Sequence, residues 1–196
     1  LPVQYEKREN ILDDPAIEQL LTMAQLTLAL ADDVAAGTKS ADYLWPQVLG
    51  LPMWQLPTQL IWETSWQKDD QSWAQRLQDQ PAVQFFMELA LLVGREPLET
   101  MLDYLAGIIP LPSGLKSPFY THYFGDQPLS AEDRVPFWQL LSNLSVLRQK
   151  LRDHRPLATA PLMLSDLLDF AEQHRAADIK IMSSNPYQEA DDAVQL

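Results

Sequence analysis

Residues 13–37 read DDPAIEQLLTMAQLTLALADDVAAG, and this stretch decides the fold class. Asp13 or Asp14 can accept backbone N–H bonds at a helix start, and Pro15 suits the first helical position, where its missing N–H costs nothing. Ile17, Leu20, Leu21, Ala24, Leu28 and Ala31 then recur on one face at the helical period. Met23, Leu26, Leu30 and Val34 widen that face beyond a surface stripe, which predicts a central helix. Gly37 ends it.

The same punctuation continues outward. Ser40 is expected to cap a short helix carrying Tyr43, Leu44, Val48 and Leu49 and stopping near Gly50. From Thr58 the apolar residues Ile61, Trp62, Trp66, Trp73 and Leu77 lie on one side of a helix, or of two helices broken at Asp69-Asp70. Pro81 opens a further helix through Val83, Phe85, Phe86, Leu89 and Leu92, closed by Gly94, and Pro97 opens the next through Met101, Leu102 and Leu105. The breakers between Gly107 and Pro128 predict the main loop, with one helical turn at Phe119–Phe124. Ser130 and Asp133 suggest a cap for a long helix to about Asp153, and Ser165 a cap for the last helix, ending near Ala177. Pro2–Tyr5, Ile179–Met182 and Ala193–Leu196 read as extended, with a polar linker at Ser183–Asp192. The expected fold is therefore all-α, about eight helices, with short strand-like segments at the two termini.

Composition narrows the function. The chain has 196 residues, 46% of them hydrophobic, enough for one sizeable core. Its longest nearly unbroken apolar stretch, Ala82–Val93, is interrupted by Gln84 and Glu88 and is too short to span a bilayer, so no membrane association is expected. The lack of cysteine excludes disulfides and thiolate chemistry and fits a cytoplasmic location. Twenty-seven acidic against fourteen basic residues give a net charge of −13, which repels phosphate backbones unless locally reversed.

No catalytic or metal motif emerges. Gly114-Leu115-Lys116-Ser117 imitates the end of a phosphate-binding loop, but Lys does not directly follow the Gly and the upstream Gly is missing. His122, His154 and His174 lack the spacing of a metal site and read as surface histidines. Asp32/Asp33 and Asp166/Asp169 read as solvated helix-flank and helix-start carboxylates. The six tryptophans could stack bases, but Glu63, Asp69 and Asp70 surround Trp62 and Trp66, whose spacing suits core anchors. The basic concentration is Arg148, Lys150, Arg152 and Arg155. Arg148, Arg152 and Arg155 share one side of the long helix, where they either bind phosphate or, more plainly, complement the C-terminal dipole. Lys7 and Arg8 form a smaller candidate.

The two ends carry a resemblance. Pro2-Val3-Gln4-Tyr5, the turn through Lys7-Arg8-Glu9-Asn10-Ile11-Leu12 and the helix start Asp14–Leu21 resemble the entry into the 2B insertion of UvrD/Rep/RecB-like superfamily 1 helicases, nearest to RecB or AddA types. Asp191–Leu196 is similar to the strand that leads that family into the helicase motif following the insertion. The resemblance implies a single helical 2B-like insertion domain over 1–196, with 1–5 and 193–196 as stubs of the parent motor domain. It implies no cofactor here, since ATP and Mg would belong to the parent's motor domains. The implied role is non-catalytic: a regulatory domain that swivels against the motor and touches duplex DNA, weakly, through Arg148, Lys150, Arg152, Arg155, Lys7 and Arg8. The alternative is a stand-alone acidic helical module that binds a protein partner.

Overall fold

The computed structural model describes residues 10–125, 134–154 and 160–182, and of 134–139 the backbone alone. Among these residues the fold is all-α: α1 (Pro15–Ala36), α2 (Trp45–Leu49), α3 (Thr58–Trp66), α4 (Trp73–Arg76), α5 (Pro81–Leu92), α6 (Leu98–Leu105), α7 (Phe119–Phe124), α8 (Arg134–His154) and α9 (Leu164–Ala176), with short 3-10 turns between some of them. The β pairing among them is a lone antiparallel bridge, Asn10 to Met182.

The central helix follows from its sequence. Asp14 accepts from the amides of Ala16 and Ile17 at 2.9 and 3.4 Å, Pro15 occupies the first position, and Gly37 closes the helix at φ 68°. A positive φ of that kind is open to glycine without the Cβ clash other residues meet. α1 is packed by α2, α5, α6, α8 and α9, so Ile17, Leu20, Leu21, Met23, Leu26 and Leu30 are all buried. Each such side chain contributes roughly 1.5–3 kcal/mol of transfer free energy. Thr27, the polar residue inside this surface, donates its hydroxyl to the Met23 carbonyl at 2.8 Å and leaves no unpaired group. One buried apolar cluster runs from Ile11 to Ile181.

Two expected caps are corrected. The segment 40–43 is capped by Asp33, not by Ser40. The Asp33 carboxylate accepts from the Ser40 amide, the Ser40 and Thr38 hydroxyls and the Ala41 amide at 2.5–2.7 Å. Asp33 is 8% exposed, so it is no solvated flank carboxylate. Burial pushes its pKa up, but the hydroxyls of Ser40 and Thr38 and the amides of Ala41 and Ser40 outweigh this and hold it below the usual carboxylate value. Likewise α9 begins at Leu164, and Asp166 rather than Ser165 serves its start, accepting from the Met163 amide at 2.7 Å.

The break after Trp66 occurs as expected, and Ser72 with Gln75 forms a reciprocal capping box for α4. In the loop after α6, Gly107 sits at φ 68°, and a Cβ there would lie 2.1 Å from the Ser117 carbonyl oxygen, so the close return of the loop requires glycine. Ser130, Asp133, Pro2–Tyr5, the linker from Ser183 and Ala193–Leu196 lie outside the described residues.

Candidate functional site

Three places on this fold bear on function: the junction of its described ends, the face between α6 and α8, and the outward face of α3. At the junction, Ile11 donates its amide to the Ile181 carbonyl at 2.8 Å, and the Ile181 amide donates to Asn10 Oδ1 at 3.1 Å. Arg175 reaches from α9 to the Leu12 carbonyl at 3.3 Å, and Asn143 of α8 donates to Asp14 Oδ2 at 2.8 Å while Oδ1 caps α1. Beside it, the Tyr123 hydroxyl donates to Gln19 Oε1 at 2.8 Å, and burial, helped by the Asp14 charge, pushes its pKa up. The first and last described residues are thus neighbours, held beside polar contacts from two helices.

Between α6 and α8 the structure places the basic candidates against carboxylates. Arg148 Nη2 donates to Asp103 Oδ1 at 2.7 Å and its Nε lies 3.5 Å from Glu99 Oε2, while Arg152 Nη2 donates to Glu99 Oε1 at 2.7 Å. The cationic side of α8 is therefore a seam to α6, a role that neither a phosphate site nor a helix dipole had suggested. Lys150 is exposed. Arg155, Lys7 and Arg8 lie outside the described residues. Under the seam a cleft of about 240 Å³ is walled by Leu98, Leu102, Leu151 and Leu162, with Glu99 and Arg148 as its charged lining. Among the described residues that line it, Glu99 and Arg148 are the charged groups, and they pair with each other or with their neighbours across the seam.

On α3 the structure corrects the reading of Trp62 and Trp66 as core anchors. They are 63% and 71% exposed and stack on each other, ring centroids 6.5 Å apart at 28°. Among the described side chains the core indoles are Trp45, fully buried against Phe86, and Trp73, while Trp54 packs partly buried on Phe85 and Phe86.

The remaining motifs settle into structure. Gly114–Ser117 leads out of a turn, Leu111–Leu115, closed by the Leu111 amide on the Leu115 carbonyl at 2.7 Å, and Ser113 is held through its amide and hydroxyl by the Glu88 carboxylate, where a phosphate loop would need open donors. His154 and His174, far apart in sequence, meet at 6.1 Å between ring centroids across Phe170, a pairing that spacing along the chain could not reveal. Among the described residues no group of three or more His, Cys, Asp or Glu is placed to hold a metal ion, and no helix is long and apolar enough to cross a membrane.

The chain matches no protein-family model, no curated protein and no solved structure.

Proposed function

We propose that this chain is a non-catalytic regulatory insertion domain of an ATP-dependent DNA helicase, with ATP and Mg bound by motor domains outside it. The observation that supports the reading is the junction: residues 10–11 and 181–182 are hydrogen-bonded neighbours, as an element inserted into a host requires. Clamped there by Arg175 and Asn143, the helical body would swing about its attachment as one unit. Duplex DNA, where touched, meets Lys150 and the exposed flank of Arg152, and the contact is weak because Glu99 and Asp103 neutralise the neighbouring guanidinium groups. The parent reading frame tests the first claim. A phosphate-binding loop upstream and a helicase motif directly after Leu196 support it, and a frame with neither overturns it.

The exposed tryptophan pair favours a second reading, an acidic helical module that recognises a protein partner. A duplex titration at low and moderate salt discriminates between the two modes of contact. Salt-sensitive binding lost in Lys150→Glu/Arg152→Glu supports DNA contact, and no binding at either salt supports partner recognition alone.

A further inference from the structure

The outward face of α3 is built for a ligand that the helicase reading does not supply. Leu60 and Ile61 of this helix are partly buried, and Thr64 is buried with its hydroxyl on the Leu60 carbonyl at 2.7 Å, so the helix already has an inward face. Gln59, Trp62, Glu63 and Trp66 occupy the opposite arc, since steps of about 100° per residue bring positions three and four apart together. Two large indoles therefore stand in solvent on a helix that has no need of them for its own packing. Contiguous exposed aromatic surface of this kind marks interaction sites, and tryptophan is among the residues most enriched at their energetic centres.

We propose that this face docks a cationic protein segment, with arginine or lysine side chains laid over Trp62 and Trp66 and paired with Glu63. Indole is the strongest of the side-chain faces for attracting a cation. Glu63 Oε1 accepts from Gln59 Nε2 at 2.7 Å, which holds the carboxylate on the same arc of the helix as the indoles. Asp70 adds an exposed negative charge beyond Trp66, and the chain as a whole carries −13. Arg76 is paired with Asp69 at 2.8 Å and lowers its pKa by that hydrogen bond, Lys39 lies near enough to Asp69 to lower it further, and Lys68 is the exposed cation of the turn itself, so the charge left beside the rings is that of Glu63 and Asp70. The helix that carries the rings is tied down at its end: Arg76 also donates to the carbonyls of Thr64 and Asp69 at 3.2 and 3.1 Å, joining α3 to the turn that follows. A preformed surface loses little conformational freedom on binding. Single-stranded nucleic acid also stacks on aromatic rings, but it needs interleaved cations where this ridge has carboxylates.

The test uses fluorescence anisotropy of a labelled peptide of alternating arginine and leucine, titrated with the intact chain at moderate salt. Its glutamate counterpart and a single-stranded DNA serve as parallel probes. The arginine peptide is expected to bind, Trp62→Ala/Trp66→Ala to weaken it about tenfold or more, and Glu63→Gln to weaken it about threefold. Trp62→Phe/Trp66→Phe is expected to fall between the wild type and the alanine pair, which guards against a folding defect. No binding overturns the proposal. So does equal affinity in the alanine pair, which would mean nonspecific attraction to an acidic protein. Trp-dependent DNA binding overturns it in favour of a nucleic acid, and a Trp-dependent dimer overturns it in favour of a second copy.

Discussion

Trp45 and Trp54 face Phe85 and Phe86 across the wall between α2 and α5, whereas Trp62 and Trp66, a short way further along the chain, stack on each other in solvent. The residue types are alike, although the first two belong to α2 and the 3-10 turn after it and the second two sit one turn apart on α3. What differs is supply: α5 offers two phenyl rings to the first group, while the inward positions of α3 are already taken by Leu60, Ile61 and Thr64. An aromatic residue is drawn into the core when a partner surface faces it, and otherwise it is left for something outside the chain.

The sharpest way to break this contrast is truncation at its buried end. Trp45→Ala is expected to lower unfolding free energy by about 3–5 kcal/mol, the cost of emptying a closed core position, as read by urea denaturation. An effect within ~0.5 kcal/mol would show that this wall collapses freely and that burial does not separate the two regions.

The corner that delivers Trp45 to the wall is set by Asp33, so Asp33→Ala, which strands the buried Ala41 amide and takes the acceptor from the exposed Thr38 and Ser40 groups, is expected to cost about 1–3 kcal/mol. The pH dependence sharpens it. The folded pKa of Asp33 lies below its unfolded value, so its stabilisation is full above that unfolded value, about 3.9, and is lost as pH falls through the folded pKa. Thermal melts of wild type and Asp33→Asn should therefore converge in acid and separate towards neutral pH. A gap independent of pH would sink the assignment.

Smaller effects are expected on the surface. Arg152→Ala removes an exposed ion pair to Glu99 and should cost about 0.2–1 kcal/mol, shrinking as salt is raised. Undiminished destabilisation at high salt would mean that the seam holds by packing. Smallest of all, Trp62→Ala and Trp66→Ala are each expected to shift stability by no more than ~0.5 kcal/mol, while moving the emission spectrum as exposed indoles are removed. A loss comparable to that at Trp45 would end the distinction between the two regions.

Much of the helical layout was legible because its signals are local. Asp14, Pro15 and Gly37 bound α1 with groups that act within one turn of themselves, and the apolar period between them needs no distant partner. Ser40 misled for the converse reason: it has the chemistry of a cap, but a carboxylate seven positions earlier folds back over the turn and takes the role. The arginines of α8 showed their shared side but not their partners, because Glu99 and Asp103 reach them only when α6 lies alongside. His154 and His174 likewise become neighbours only through the packing of α8 on α9.

The sequence by itself determined where the central helix and most of the others start and stop, that the described fold is all-α, and that its charge is strongly acidic, since ring constraints, side-chain period and most caps are properties of a few consecutive residues. Tertiary structure alone decided which tryptophans are core, which carboxylate is buried and which cations are neutralised. Those outcomes depend on what lies opposite a side chain in space. Opposition of that kind is set by the packing of whole helices, in which residues far apart along the chain share one small volume and exclude water from it.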